Sequence, residues 1–296
     1  MTSYIHCLRK TRLCFLLALL LFMGCNTLLS QALIDLKKVT YQNEDRSLVD
    51  ETLEHFSDYK EASTSTLMAS VGVHFRETPY VAHTLELDGE QLVINVREMD
   101  CTTFAEYCLA LAGTIQSTHP TFEQFAAEVQ KIRYRDGVIE GYPSRLHYFC
   151  DWIHDNEQKG LLKDMSKDIA NTPLSKQISF ISNHPDSYRQ LKEDPSLVEL
   201  IARQEQEISK REMYYIPESM VSEVENQLME GDIVGITTGV EGLAISHVGI
   251  LVKRSGRVHL LHASSAAKKV VVSENTLEDY LVSSKSATGI MVARPK

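Results

Sequence analysis

The sequence predicts an α+β fold, in which a mainly helical first part is followed by an antiparallel sheet. Apolar residues between positions 101 and 115 recur at spacings of three and four, as on one face of a helix. Short strand-like runs follow Gly231, and Ser255-Gly256 supplies a turn between two of them. Helices and strands therefore occupy successive parts of the chain instead of alternating, which is typical of α+β folds.

The first half of the chain contains most of the predicted helices. We expect helices over residues 44–60, 64–75, 101–115 and 145–158, the last ending near Gly160. Thr121 and Gln124 form a capping-box pattern that opens a further helix. Residues 85–96 alternate like a strand pair around the turn Asp88-Gly89, so we expect a hairpin there.

The second half changes character at Gly231. Residues 161–230 are polar and predicted to be rich in helix, with Pro195 in a first turn. Strands are then predicted over residues 232–237, 246–253, 258–263, 270–273 and 289–293. We expect one domain over residues 33–296, with a helical insertion over about 120–230.

The N-terminus has the pattern of an export signal. A basic stretch, Arg9 to Arg12, precedes an apolar run of eleven residues, Leu13 to Met23, that is too short to span a bilayer comfortably. Small residues at Ser30 and Ala32 fit ordinary cleavage of a signal over residues 1–32, whereas the segment ending at Cys25 resembles a lipobox that would remove residues 1–24. Either reading places the mature protein outside the cytoplasm, in the periplasm or as an outer-membrane lipoprotein. Its membrane contact would then be limited to a lipid on Cys25.

Charge and cysteine content narrow the function further. The formal net charge of -10 disfavours electrostatic capture of nucleic acid, so we expect no nucleic-acid partner. Removal of the signal leaves three cysteines, Cys101, Cys108 and Cys150, and an odd number leaves at least one thiol without a disulfide. Packing in the core is the favoured role for Cys108 and Cys150.

Cys101, His247 and His262 have the chemistry of a cysteine hydrolase. Such an enzyme needs a thiol, a base and a group that orients the base. Cys101 begins a predicted helix, where free N–H groups and the helix dipole favour a thiolate and should lower the pKa of the thiol. The turn Ser255-Gly256 makes the strands of His247 and His262 antiparallel neighbours, and His259 has the opposite parity on its strand. A structural cysteine and packed histidines remain the alternative at this point.

The order and the sequences of the surrounding motifs resemble those of the NlpC-type, papain-like cell-wall peptidases. The matches are T-P-Y (Thr78 to Tyr80), D-C-T (Asp100 to Thr102), G-D-I-V (Gly231 to Val234), S-H-V-G-I (Ser246 to Ile250) and L-H-A-S (Leu261 to Ser264). The resemblance implies a papain-like cysteine peptidase fold with N-terminal helices and an added helical insertion. It also implies that Cys101 is the nucleophile, His247 the base and His262 the orienting residue.

A closer resemblance is to the N-acetylmuramoyl-L-alanine amidase-like family, over about residues 45 to 294. Its signatures correspond to T-P-Y-V-x-x-T-L-E (Thr78 to Glu86), D-C-T-T-F (Asp100 to Phe104), S-R-L-H-Y (Ser144 to Tyr148) and H-P-x-x-Y (His184 to Tyr188). Two positions depart from the family pattern: His83 stands where a glycine is expected, and Ala244 where an aspartate is expected.

The resemblance implies an amidase that cuts between the muramic acid lactyl group and L-alanine in peptidoglycan fragments, including 1,6-anhydro forms. A D,L-endopeptidase that cuts between γ-D-glutamate and the diamino acid stays open. So does a catalytically weak muropeptide-binding protein, because of Ala244. We expect a monomer that needs no cofactor. We also expect no metal, since the metal-binding spacings CxxC and HExxH are absent from the sequence.

Four further residues are candidates for substrate binding, each with a simpler alternative. Tyr80 and Thr102 lie beside the predicted nucleophile in the sequence motifs, although Tyr80 suits packing equally well. Arg145 suits a substrate carboxylate or an ordinary ion pair. His147, on the same predicted helix as Trp152, suits a sugar or peptide subsite or the core.

Overall fold

The computed structural model describes residues 34–296, and the predicted signal sequence and Cys25 lie outside these residues. Residues 35–296 form one compact unit of mixed α and β structure. The α-helices are α1 Asn43–His55, α2 Thr64–His74, α3 Cys101–Gln116, α4 Phe122–Arg133, α5 Phe149–Gln158, α6 Ser166–Ala170, α7 Phe180–Asn183, α8 Arg189–Glu193, α9 Ser196–Ser209, α10 Val221–Val224 and α11 Leu277–Ser283. Within this part of the chain, none is long and apolar enough to cross a membrane.

The strands form one large antiparallel sheet and one two-stranded parallel ladder. They are β1 Val39–Thr40, β2 Leu92–Val93, β3 Leu162–Asp164, β4 Thr172–Pro173, β5 Tyr214–Pro217, β6 Ile233–Thr238, β7 Ile245–Arg254, β8 Arg257–Ser264, β9 Lys269–Thr276 and β10 Ala287–Pro295. The order in the large sheet is β4-β5-β10-β6-β7-β8-β9, and β3 also pairs with β10. The five strands predicted after Gly231 are therefore confirmed, and they form the centre and one edge of this sheet.

Both faces of the sheet are buried, which explains why its central strands are apolar almost throughout. One face of β7 and β8, with Ile250 and Leu261, packs against α2 and α3, where Gly72 and Phe104 make close contact. The other face carries a second apolar cluster that includes Leu251 and residues of β5, β6, β10 and α11. The helix that begins at Cys101 is therefore held directly against the strands of His247 and His262.

Gly231 of the G-D-I-V motif allows the chain to enter β6 beside α2. Its φ is +85°, and a Cβ at this position would lie 1.9 Å from the carbonyl oxygen of Ser65. No residue with a side chain fits there without moving the backbone of α2. The motif glycine thus fixes how closely the sheet approaches the helices.

The predicted hairpin over residues 85–96 is wrong. The turn at Asp88-Gly89 exists, with Gly89 at φ +79°, but only Leu92–Val93 forms a strand, and it pairs in parallel with β1. Ion pairs from Arg145 to Glu86 and Glu90 hold this segment instead of a strand ladder. Sequence alternation alone does not distinguish these two arrangements.

The other corrections concern the insertion. Helix α5 begins at Phe149 instead of Arg145, because Arg145 forms a bridge with Tyr134. Residues 161–230 contain the expected helices, but also three short strands, β3, β4 and β5, that extend the sheet. These strands have two to four residues each, too few to produce a recognisable period.

Candidate functional site

Cys101 is the first residue of α3, and the local sequence builds the cap that places it there. Oδ1 of Asp100 accepts hydrogen bonds from the backbone N–H groups of Thr102 (3.0 Å) and Thr103 (2.8 Å). The Thr103 hydroxyl oxygen in turn accepts from the Asp100 N–H at 2.9 Å, which completes a capping box. Asp100 therefore has a structural role, since its side chain fixes the backbone turn that places Cys101 at the start of the helix.

His247 and His262 lie on neighbouring antiparallel strands and contact each other directly. The Ser255-Gly256 turn, with both residues at positive φ, joins β7 to β8. Nε2 of His247 lies 2.6 Å from Nδ1 of His262, and the two rings meet edge to face at 82°. This hydrogen bond occupies Nε2 of His247 and leaves its Nδ1 free of that contact.

His259 has a different partner. Its Nδ1–H donates to the backbone carbonyl of Ser273, 3.0 Å away on β9. The opposite strand parity of His259 and His262 therefore separates their contacts, as the sequence pattern predicts.

Cys101 and His247 line the same small cavity, about 90 Å³ in volume. One wall comes from the segment before and within α5, and the other from the segment that leads into β7. The lining residues are Cys101, Thr102, Leu146, His147, Tyr148, Phe149, Leu243, Ile245, Ser246, His247 and Val248. Three of the residues singled out in the sequence beside Cys101, namely Thr102, His147 and His247, are thus brought together around its thiol.

The pKa of the Cys101 thiol is raised, contrary to the lowering expected from its helix position. Burial, reinforced by the negative charge of Asp100, raises this pKa to about 12. The Val248 N–H, the Thr102 hydroxyl and the Cys101 N–H act in the opposite direction by donating to the sulfur. The Asp100 carboxylate already accepts from two N–H groups of the first turn. The end of this helix therefore stabilises a thiolate less than an uncapped helix end would.

Burial also keeps the histidines neutral. It lowers the pKa of His247 to about 4, against a smaller opposing effect of Asp100. It lowers the pKa of His262 to about 3, and the neighbouring His247 adds to this. The resting site at neutral pH is consequently a thiol beside two neutral imidazoles, not a preformed ion pair.

The segment of Tyr80 runs beside the nucleophile. The N–H of Tyr80 donates to the Lys268 carbonyl at 2.9 Å, and the Val81 N–H donates to the carbonyl of Met99 at 3.1 Å. Burial raises the pKa of the Tyr80 phenol, and its closeness to the acidic groups of Cys101 and Asp100 adds to this. The structure therefore places this half-buried tyrosine near Cys101, outside the residues that line the small cavity.

His147 lines the cavity as a neutral ring. Its Nε2–H donates to the Tyr142 carbonyl at 2.9 Å, and the ring stacks at a tilt on that of Tyr142. Burial and the positive charge of Arg145 lower its pKa to about 3. Trp152, considered with it in the sequence, is fully buried and stacks on Phe149, so it belongs to the core.

The position of Arg145 does not fit the substrate carboxylate considered for it. Its buried guanidinium donates to Glu86 at 2.8 Å and to Glu90 at 2.9 Å and lies over the ring of Tyr142. It is absent from the lining of the cavity at Cys101. With both carboxylates in place, Arg145 anchors the 85–96 loop to the insertion.

His83 and Ala244 are the two positions that depart from the family pattern, and the structure shows the backbone of the first and the surroundings of the second. His83 has φ +64° on an exposed loop, in the left-handed region where glycine is normally favoured. Ala244 is 1% exposed, and its carbonyl accepts from the Thr238 N–H at 3.1 Å. The Ala244 side chain is therefore enclosed in protein, next to the cavity residue Leu243.

Sequence reasoning missed two groups that surround the site. Tyr280 of α11 contacts His262 edge to face at 5.5 Å between ring centroids, and no motif in the sequence marks it. Phe149, Leu243 and Ile245, which belong to none of the motifs, form part of the apolar wall of the cavity. Only their closeness to motif residues in the sequence could have indicated the second group.

Comparisons with known proteins identify relatives of this chain. A family model described as N-acetylmuramoyl-L-alanine amidase-like matches residues 70–290, which include Cys101, His247 and His262. An N-acetylmuramoyl-L-alanine amidase from Bacteroides uniformis is 41% identical, with a TM-score of 0.76, and the match covers 79% of this chain and 99% of that one. The comparison with curated proteins gives no match.

Two other solved structures extend the comparison. A Bacteroides fragilis protein provisionally named a xylanase is 42% identical, with a TM-score of 0.71, over 76% of this chain and 99% of that one. A Legionella pneumophila protein is 23% identical, with a TM-score of 0.62, over 84% of this chain and 94% of that one. At that identity the Legionella protein shows likeness of fold alone.

Proposed function

Since this chain belongs to the N-acetylmuramoyl-L-alanine amidase-like family, we propose that it is a cysteine amidase that cleaves the bond between the muramoyl lactyl group and L-alanine. Its substrates are peptidoglycan fragments, including 1,6-anhydro muropeptides. We place its catalytic core in the NlpC-type, papain-like superfamily. The observation that carries the proposal is the cavity shared by Cys101 and His247, with His262 hydrogen-bonded behind His247.

The first half of the reaction uses the free nitrogen of His247. With Nε2–H of His247 donating to Nδ1 of His262, Nδ1 of His247 is unprotonated and accepts the thiol proton of Cys101. The sulfur attacks the carbonyl carbon of the lactyl group, and the oxygen of the tetrahedral intermediate becomes negative. His247 then gives the proton to the departing alanine amine, which leaves a thioester on Cys101.

The second half regenerates the enzyme. Water loses a proton to Nδ1 of His247 and attacks the thioester carbonyl, and the thiolate that leaves recovers its proton from the imidazolium. The Cys101 N–H, a free backbone group in the first turn of α3, is the donor to which we assign stabilisation of the negative oxygen in both halves.

The high pKa of the thiol sets the timing of proton transfer. Because the thiol is protonated and His247 is neutral in the resting site, the proton moves as the sulfur engages the carbonyl. This sequence favours general base catalysis over a standing thiolate.

The site's chemistry does not suit a xylanase. Glycoside hydrolysis ordinarily requires two carboxyl groups flanking the scissile bond. The residues that line the cavity at Cys101 include no aspartate or glutamate. We accordingly assign the chain to amide cleavage and not to sugar–sugar cleavage.

The remaining parts of the proposal follow from the substrate. Peptidoglycan fragments occur outside the cytoplasm, so we propose that residues 1–32 direct export and that the mature enzyme works in the periplasm as a monomer. Processing at Cys25 would add a lipid anchor and no other membrane contact.

The bond that is cut can be identified directly. Purified enzyme is incubated with 1,6-anhydro-N-acetylmuramoyl tetrapeptide, and the products are analysed by mass spectrometry. The proposal predicts intact tetrapeptide plus free anhydro-N-acetylmuramic acid. Release of a diamino acid dipeptide would show a D,L-endopeptidase instead, and recovery of unchanged substrate would indicate a binding protein.

A further inference from the structure

A second pocket lies on a face of α2 that is turned away from the sheet. Its volume is about 520 Å³, within the roughly 300–1,000 Å³ of sites that hold small molecules. Thr66, Ser70 and Val73 line it and share one helix face, because they are spaced at four and three residues. Gly72, which contacts Leu261 of the sheet, lies on a different face of the helix. Among the described residues, this α2 pocket shares none with the small cavity at the candidate active site.

Four aromatic rings line the α2 pocket as one connected cluster. Phe56 is buried at its centre. It meets the rings of His55, Tyr59 and His74 edge to face, at 4.7, 5.7 and 5.7 Å between ring centroids. The rings of His55 and His74 also stack on each other, at 4.9 Å and 26°. Tyr59 is 52% exposed, so its ring is held by Phe56 and remains accessible to a ligand.

The polar groups of this cluster have no partner in the protein. Across residues 34–296, no hydrogen bond or ion pair engages the ring nitrogens of His55 and His74, the Tyr59 hydroxyl or the carboxylate of Glu230, which also lines the pocket. All four residues are exposed, so water satisfies these groups when the pocket is empty. A ligand with matching donors and acceptors would replace that water.

Glu230 is held at the pocket by the motif glycine that follows it. Gly231 approaches the first turn of α2 so closely that a Cβ would lie 1.9 Å from the carbonyl oxygen of Ser65. The Gly231 N–H also donates to the carbonyl of Leu251 at 2.8 Å, which fixes the peptide after Glu230. Glu230 therefore stands beside α2 as an acceptor in a set position.

The lining suits an uncharged ligand. Within the part of the chain that the structure describes, the pocket is lined by no lysine or arginine, so a phosphate or a carboxylate would meet Glu230 without a counter-charge. Partial burial and the nearness of His55 lower the pKa of His74, which keeps its ring neutral at neutral pH. A neutral imidazole offers one donor and one acceptor, as a hydroxyl group does.

We propose that the α2 pocket is a binding site for an uncharged sugar ring, which stacks on Tyr59 and directs its hydroxyl groups to Glu230 and His74. A sugar ring has apolar C–H faces that fit an exposed aromatic ring and a rim of hydroxyls that fit neutral donors and acceptors. This site goes beyond the proposed amidase function and does not depend on it. Amino sugars of the cell-wall type and plain glucose polymers share this chemistry.

Titration with two trisaccharides tests the site. Purified protein is titrated separately with tri-N-acetylchitotriose and with maltotriose, and the ring resonances of Tyr59 and His74 are followed by NMR. The proposal predicts that they shift on binding. A stronger response to the first sugar identifies an amino sugar of the cell-wall type as the ligand, and a stronger response to the second identifies a glucose polymer. Neither sugar contains the bond cut by the proposed amidase, so the result tests the α2 pocket alone.

Two variants locate the binding in this pocket. Tyr59→Ala removes the stacking surface and Glu230→Gln removes a charge-assisted hydrogen bond, so each should raise Kd by about tenfold or more. Leu200→Ala and Glu223→Gln change exposed residues outside the pocket and should leave Kd unchanged.

Several results would overturn the sugar site. They are the absence of binding by either trisaccharide, shifts confined to the cavity at Cys101, and an unchanged Kd in either pocket variant. A response to choline without a response to the sugars would overturn it as well, because it would assign the aromatic cluster to a cation.

Discussion

The two imidazoles of the site differ in the atoms that their hydrogen bond leaves free. His247 lines the cavity with Cys101 and uses Nε2 for His262, so its Nδ1 is available for proton transfer. His262 is buried, and its Nδ1 is occupied by His247. We therefore assign chemistry to His247 and orientation to His262.

This difference predicts unequal losses of activity. His247→Ala should lower kcat by about 10²–10⁴-fold or more, because it removes the base from both halves of the reaction. His262→Ala should lower it less, and His262→Asn should restore part of the loss, since an amide oxygen can accept the His247 N–H. The rates are measured with one muropeptide.

His259→Ala is the control for these variants. His259 donates to the Ser273 carbonyl and does not line the cavity, so its removal should leave kcat nearly unchanged. If His259→Ala is crippled and His262→Ala is not, the orienting role belongs to His259.

Individual residues show where sequence reasoning reaches its limit. The resemblance carried by the motifs D-C-T, S-H-V-G-I and L-H-A-S, together with strand parity, allowed Cys101, His247 and His262 to be proposed from the sequence. The raised pKa of the Cys101 thiol could not be predicted, since it depends on burial by β7, which is distant in sequence. Leu243 and Tyr280 could not be selected either, because neither belongs to a motif.

At the scale of elements, prediction succeeded where a pattern is long and failed where it is short. The strands after Gly231 have six to ten residues each, and their turns contain recognisable residues such as Ser255-Gly256. Residues 85–96 have a strand-like alternation, yet their own carboxylates, Glu86 and Glu90, are held by Arg145, which is 59 and 55 residues away. Ion pairs between distant side chains produce no hydrophobic periodicity from which they could be predicted.

The insertion illustrates the same limit on a larger element. Its helices could be expected from the sequence. Its three strands and the hydrogen bond from the Tyr148 hydroxyl to Glu205 could not, because each depends on a partner elsewhere in the fold. Of these contacts, the hydrogen bond from the Tyr148 hydroxyl to Glu205 lies at the cavity wall. The candidate catalytic residues could thus be proposed from sequence, whereas the walls that surround them required the structure.

At the scale of the whole molecule, histidines that the fold keeps neutral make folding sensitive to acid. The pKa values of His147, His247 and His262 are lowered to about 3, 4 and 3, against an ordinary value of about 6.5. Below pH 6.5 the unfolded chain binds protons that the folded chain does not. The free energy of unfolding should therefore fall as pH decreases from about 6.5 towards 4, by up to about 1.4 kcal/mol per pH unit for each such histidine.

Urea unfolding between pH 7 and pH 4.5 measures this dependence. His147→Gln, which removes one of the three groups, should flatten the slope, whereas His119→Gln, at an exposed histidine, serves as the matched control and should not. If the free energy of unfolding stays level or rises as the pH is lowered from 6.5 to 5, the folded protein does not keep these histidines neutral.

The account as a whole depends on Cys101 as the nucleophile. Cys108 and Cys150 are also free thiols, but both are buried in the core, and burial raises their pKa values without bringing them into the cavity. They provide internal controls of the same residue type. Each is distinguished from Cys101 only by its place in the fold.

The most direct measurement is the turnover of anhydro-muropeptide by Cys101→Ala and Cys108→Ala, with circular dichroism to confirm that each variant is folded. The account predicts that Cys101→Ala abolishes turnover while remaining folded, and that Cys108→Ala retains most of the wild-type rate. Turnover by a folded Cys101→Ala at the wild-type rate would contradict the mechanism and the function built on it.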